Sequence, residues 1–310
     1  MRITQNMISN IFVRNIQKQT EVMLQRQEQI VTQKRINRPS DDPAGMARVL
    51  DGRSTVAAID QYVENIKQGK TRLEITETTL GQVDDLVQQA WKLAQANAGE
   101  EITAEQRALA AEKVKGIYDH VMQLANSRFG GRYMFAGYQT DTAPFTRNED
   151  PNDPADDYTA VYHGDDGSFQ IPIADNVKVS VDADGENYFQ DAANGGVNIF
   201  DQLQDLINGL ENASHSAGTA QIQATVDPLD DAHAQIMDKR SEGAPKLYRL
   251  EASEQHWTNF KTKVQEAMGR DEDADMTRVA VELNNLRNAY ETSMAAAAKI
   301  IQRGLADFLG

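Results

Sequence analysis

Residues 43–98 carry the feature that most restricts the fold. Val56, Ile59, Val63, Ile66, Lys70 and Leu73 recur at spacings of three and four, and Leu80, Val83, Val87, Ala90 and Ala94 resume the pattern. That period places them on one stripe of a single helix, the seam of a coiled coil or a long bundle. At 1.5 Å per residue such a helix is a rod about 80 Å long. A rod of that length is unusual in a compact enzyme, and its stripe needs other helices alongside it.

The flanking residues define where the rod begins and ends. In Asn37-Arg38-Pro39-Ser40-Asp41-Asp42-Pro43-Ala44-Gly45, Pro39 disfavours helix just before it, Ser40 or Asp41 can cap, and Pro43 suits a first helical turn. Gly99 closes the rod, and Thr103-Ala104-Glu105-Gln106 forms a capping box that starts a third helix. Its stripe is Ala110, Val114, Ile117, Val121 and Leu124, ending before Gly130-Gly131. The short connection predicts an antiparallel helical hairpin. Further helix is predicted at Leu203, Leu206, Ile207 and Leu210, and again from about 219 to 268.

Both chain ends carry thinner stripes. Ile8, Phe12, Ile16, Met23 and Ile30 fall four or seven apart in a helix otherwise rich in Gln, Asn and Arg. Met276, Val279, Leu283, Leu286, Tyr290, Ser293 and Ala297 keep three–four spacing, and Ile301, Leu305 and Phe308 continue it. The second stripe has no later segment to bury against, so its natural partner is the N-terminal stripe or another subunit. Ile8, Phe12, Ile16, Met23, Ile30, Met276, Val279, Leu283, Leu286, Tyr290, Ile301, Leu305 and Phe308 are therefore the candidate subunit-interface residues. Stripes this thin bury little against an ordering cost of about 1–2 kcal/mol per residue. Residues 1–38 and 276–310 are accordingly expected to be mobile in the free subunit and to become helical on assembly.

Between residues 132 and 198 the period changes to two. Tyr133, Phe135, residues 159–162, Phe169, Ile171 and Ile173, then Val177, Val179 and Val181, read as strands. Gly164-Asp165-Asp166-Gly167 reads as a hairpin turn between two of them. Residues 149–157 read as an exposed acidic loop.

Composition narrows the function classes. Aromatic residues are only 6% and hydrophobic residues 40%, which suits helices meeting along narrow seams. With no cysteine there is neither a disulfide framework nor a thiolate metal site. The net charge of −16 argues against a nucleic-acid or anionic-membrane binder. Charge is uneven: residues 1–38 hold seven basic groups against two carboxylates, whereas 139–200 hold two against thirteen. Residues 1–16 lack the apolar core of a cleaved signal peptide, and no stretch is apolar enough to span a bilayer.

No catalytic constellation emerges. The histidines (His120, His163, His215, His233, His256) are scattered, and no H-E-x-x-H, phosphate-binding glycine loop or nucleophile elbow is present. Asp271, Asp273, Asp275 and Glu282 match four ligand positions of a calcium loop, but Met276 occupies the position where its sharp turn needs Gly. The run reads instead as an acidic linker whose Asp275 caps the last helix. Asp182-Ala183-Asp184-Gly185 reads as a turn. No catalytic residue, metal site or cofactor is expected.

The segment from Arg35 to Gly45 resembles the N-terminal signature of the flagellin superfamily, in the two-proline variant of its hook–filament junction members. Gly131-Arg132-Tyr133-Met134-Phe135-Ala136-Gly137-Tyr138-Gln139-Thr140-Asp141-Thr142-Ala143-Pro144-Phe145 is similar to that group's marker at the entry to its β domain. Met1-Arg2-Ile3-Thr4 and residues 275–309 also match, so the resemblance covers about half of the chain. It implies a mainly α fold, with a long helical rod, a terminal coiled coil built from both chain ends and a small β-rich insert. The expected divisions are a terminal assembly domain of residues 1–40 and 275–310, a rod domain of 41–138 and 203–274, and an outer insert of 139–202. The implied role is mechanical: joining hook to filament and seeding filament growth, after unfolded export through the flagellar type III channel to the cell exterior. Implied partners are copies of the chain in a ring, hook-associated protein 1, flagellin and an export chaperone. Two alternatives are the bulk filament subunit, on the same architecture, and, in another class, a calcium-binding coiled-coil adhesin.

Overall fold

The computed structural model describes residues 5–148, 158–181, 184–191 and 195–309, with side chains at all of these except 5–6, 8–9 and 299–309. Among the described residues the chain forms α1 (Gln5–Thr32), α2 (Pro43–Asn97), α3 (Ala104–Ala125), β1 (Arg128–Phe129), β2 (Arg132–Tyr133), β3 (Phe145–Asn148), β4 (Thr159–Tyr162), β5 (Gln170–Ala174), β6 (Val177–Ser180), α4 (Gly185–Phe189), α5 (Ile199–Glu211), α6 (His215–Glu272) and α7 (Met276–Leu309). The fold is mainly α, as expected, with antiparallel strand pairs β1–β2, β3–β4 and β5–β6. No described helix is long and apolar enough to cross a membrane.

The chain divides by contact into two units, residues 1–59 with 259–310, and residues 60–258. In the second unit the stripe of α2 is buried along its length: Leu80, Val83, Val87, Ala90 and Ala94 share one core with Ala110, Val114, Ile117 and Val121 of α3. Leu203, Leu206, Ile207 and Leu210 of α5, with Ile222, Leu229 and Ile236 of α6, complete the apolar wall. The capping box of α3 is formed, with the Gln106 amide donating to Thr103 Oγ1 at 3.3 Å and the Thr103 amide to Gln106 Oε1 at 3.0 Å. Pro228 and Pro245 lie within α6. Each removes a helix hydrogen bond, and burial of Leu229 and Ala232 holds the helix across the first of them.

The segment from 131 to 145 is a turn that delivers aromatic side chains to this core. Gly130 and Gly131 take φ of 58° and 84°, a left-handed pair that other residues enter only with strain, and so close the β1–β2 turn. Phe135 and Phe145 are each 1% exposed and pack edge-on against Phe189, and Phe145 also meets Tyr162 and Phe200 at a tilt. A smaller core forms where β5 and β6 lie on α2 and α6, joining Ile171, Ile173, Val179 and Val181 to Ile66, Leu73 and Leu250. Gly69 permits this approach, because a Cβ there would fall 2.2 Å from Ile171 Cδ1.

The β region departs from the sequence reading in pairing. Residues 164–167 are not a hairpin turn between paired strands: β4 pairs with β3, and β5 with β6. Asp165 decides this, since its Oδ1 accepts the amides of Tyr138 at 2.7 Å and Gly167 at 3.0 Å, bending the chain back against the 131–145 turn. Phe135 and Phe169 lie outside the strands. Asp184, read as part of a turn, caps the short α4 through the Asn187 amide at 2.7 Å, while residues 182–183 and the acidic loop 149–157 lie outside the described residues.

Candidate assembly interface

The first unit brings the two chain ends together. Arg26 Nε lies 3.0 Å from Glu282 Oε2, and Gln19 Nε2 donates to Ser293 Oγ at 3.3 Å, so α1 and α7 run antiparallel. Both are helical in the single chain. The C-terminal stripe therefore meets the N-terminal one, the first of the two partners its position allows.

The candidate interface residues differ in how far this pairing covers them. Val279 and Leu283 are each 7% exposed. Phe12, Ile16, Met23, Ile30, Leu286 and Tyr290 are half-buried, and Met276 is 38% exposed. The side chains of Ile8, Ile301, Leu305 and Phe308 lie outside those described. A groove of about 450 Å3 remains between the helices, lined by Phe12, Ile16, Val22 and Leu286. Gln19 Oε1, also at this groove, is buried without a hydrogen-bond partner. Met7, Ile11, Val13, Leu24 and Val31 of α1 and Val281 and Met294 of α7 stand exposed. One apolar stripe of each helix faces its partner, and single apolar side chains elsewhere on both helices remain exposed.

The breaks between α1 and α2 and between α6 and α7 meet in a clasp that the sequence reading did not foresee. The backbone oxygen of Glu272 accepts the Arg35 amide at 2.6 Å and the Ile36 amide at 3.4 Å, and Gln33 O accepts the Ala274 amide at 3.0 Å. Lys34 and Asp273 thus form an antiparallel bridge. Glu272 is 7% exposed, and its carboxylate lies between Lys34 Nζ at 2.5 Å and the Arg53 guanidinium. Arg48 takes both oxygens of Asp271 at 2.9 Å. Gln29, 3% exposed, donates to Arg35 O at 3.0 Å and accepts from Arg26 at 2.7 Å. Only the polar character of these residues is visible in the sequence; their meeting depends on the tertiary fold.

The acidic linker behaves as a cap. Asp275 Oδ1 accepts the Arg278 amide at 3.1 Å at the start of α7. The Arg48 hydrogen bonds hold Asp271 below the usual carboxylate range. The Gly45 amide, followed by Arg35, does the same for Asp42, and Arg278 for Glu282.

The chain is thus mainly helical, with paired ends that leave apolar side chains exposed. Residues 3–140 match the bacterial flagellin N-terminal helical region. The chain is 28% identical over 241 residues to flagellar hook-associated protein 3 of Salmonella typhimurium, covering 72% of this chain and 73% of that one. It is 32% identical over 151 residues to flagellar hook-associated protein 3 of Escherichia coli, 48% and 47% of the two chains. A solved flagellar hook-associated protein from Vibrio parahaemolyticus shares the fold, with a TM-score of 0.67 and 23% identity over 75% of this chain and all of that one. The chain is thus similar to flagellar hook-associated proteins, and its N-terminal 140 residues resemble the helical region of bacterial flagellins.

Proposed function

We infer that the chain is a structural subunit of the bacterial flagellum that joins hook to filament. The observation that carries the reading is the antiparallel pair of chain ends with apolar side chains and a groove left uncovered, in a chain similar along most of its length to hook-associated protein 3. Burial of the exposed apolar side chains and the groove against neighbouring copies supplies the assembly energy, at roughly 25 cal/mol per Å2 of apolar surface removed from water.

Residues 1–40 and 275–310 act as the assembly domain in this reading, 41–138 and 203–274 as the rod, and 139–202 as the outer insert. Of the thirteen residues named from the sequence, Val279 and Leu283 serve the α1–α7 pairing, and the less covered ones contribute to contact with neighbours. The partners are further copies in a ring, hook-associated protein 1 on the hook side, flagellin on the filament side, and a chaperone during type III export to the cell exterior. The subunit works mechanically and catalyses nothing. Pro39, Pro43 and the 133–145 marker favour the junction subunit over the bulk filament subunit, and the capped, ion-paired state of Asp275 and Asp271 disfavours a calcium adhesin.

Deletion of the gene in the source bacterium tests the reading. Electron microscopy is expected to reveal hooks without filaments and flagellin shed into the medium, both reversed by the wild-type chain. Filaments of normal number and length on the deletion strain overturn it.

A further inference from the structure

The buried side chains of the two cores within residues 60–258 stop short of each other. On α2 the larger core begins at Leu80 and the smaller ends at Leu73; on α6 the larger ends at Ile236 and the smaller begins at Leu250. Between these limits α2 buries only Thr76 and Thr79, and Thr76 Oγ1 has no hydrogen-bond partner among the described residues. On α6 no residue from 237 to 249 is buried, a run of more than three helical turns. Gly243 and Pro245 stand in the middle of that run. Neither is demanded by fit: Pro245 is exposed, and a Cβ at Gly243 would meet nothing within 4 Å.

Both residues weaken a helix, and here no packing compensates. Proline removes the amide bond to the carbonyl four residues back, here that of Ser241, and its ring presses on that turn. Glycine adds backbone freedom. Pro228, in the same helix, is spanned by buried Thr225, Leu229 and Ala232, whereas Pro245 has no such cover. At the same level of α2, Thr71 and Thr78 turn their hydroxyls back onto the carbonyls of Lys67 at 3.1 Å and Glu74 at 2.8 Å, a contact that bends helices. We propose that the α2–α6 pair carries a bending point at Gly243 and Pro245, about which the smaller core and its β5–β6 hairpin swing against the larger core. The ion pairs Arg240–Glu77 at 2.7 Å and Lys70–Glu254 at 3.0 Å bracket this point. Both join long, flexible side chains, which follow a small rotation without parting. The bend follows from the helix pair alone and holds whatever the subunit joins.

Hydrogen exchange on the full-length chain, followed by mass spectrometry, tests the weak span. Wild-type peptides covering 238–249 are expected to exchange about tenfold faster, or more, than those covering 222–236. Gly243→Ala and Pro245→Ala together fit the open helix face and raise its helix propensity. They are expected to slow 238–249 about tenfold and to leave 222–236 as it was. The swing itself is read from distances between nitroxides at Ala108→Cys on α3 and Lys178→Cys on β6, both exposed positions in a chain with no other cysteine. Adding the two helix substitutions is expected to narrow that distance distribution. A 238–249 span as slow as its neighbour, no slowing in the substituted chain, or equal distribution widths refutes the proposal.

Discussion

Tyr118 lies at the centre of the larger core, 0% exposed, against Tyr158 and Phe200, with its hydroxyl lacking a hydrogen-bond partner. Burial pushes that phenol well above its ordinary range, so it stays neutral near neutral pH. An unpaired buried hydroxyl costs about 1–3 kcal/mol, and Phe has the same shape without it. Tyr118→Phe is therefore expected to melt at the wild-type temperature or above, by circular dichroism; a fall of several degrees refutes this. The histidines lead to a second expectation. His163 bonds Thr146 at 2.7 Å, His215 bonds Glu100 O at 2.7 Å, and His233 pairs with Asp84, all contacts that brace neighbouring elements. Replacing any one of the five by Ala should leave swimming intact. A folded, exported variant that cannot swim reveals chemistry absent from this account.

Among the elements, the clasp and the start of α7 concentrate the pH-sensitive charges. Asp271, Asp42 and Glu282 all titrate below the ordinary range, held there by Arg48, by the Gly45 amide with Arg35, and by Arg278. A depressed folded pKa stabilises above the unfolded value and loses that contribution as pH falls through the folded one. The α1–α7 unit is thus expected to hold constant from neutral pH down to about 4 and to loosen below it, an effect screened by salt. Helicity and exchange of residues 5–32 and 276–298 in the assembled subunit at pH 7, 5 and 3 check the sign. Loosening on going from pH 7 to 5 contradicts it.

Helix position was readable because solvent selects one face at a 3.6-residue period. The α2 rod, the Thr103 box and the Asp275 cap all rest on local spacing. Strand pairing was not readable, because Asp165 reaches back to Tyr138 and redirects β4. The clasp was hidden for the same reason: nothing near Glu272 in the chain announces Lys34 or Arg53. The stripes of α1 and α7 were legible as apolar faces. Which row faces the partner helix and which faces outward is a property of the pair.

For the whole molecule, the central claim is that the paired ends are an assembly surface and that the subunit acts by joining neighbours. The structure shifts the sharpest probe along the stripe. Leu283 is 7% exposed, whereas Leu286 is half-buried at the groove. Leu283→Ala is expected to cost about 2 kcal/mol of α1–α7 pairing, read in the assembled subunit as faster exchange of both helices with α3 and α5 unaffected. The decisive measurement compares Leu283→Asp with Asn288→Asp, an exposed position on the same helix, in a strain lacking the native gene. An unpaired carboxylate in the seam costs several kcal/mol, and the exposed change only a few tenths. Electron microscopy should find bare hooks, with the variant subunit soluble in the medium, for Leu283→Asp, and normal filaments for Asn288→Asp. Filaments of equal number on both strains would contradict an assembly role for the paired ends.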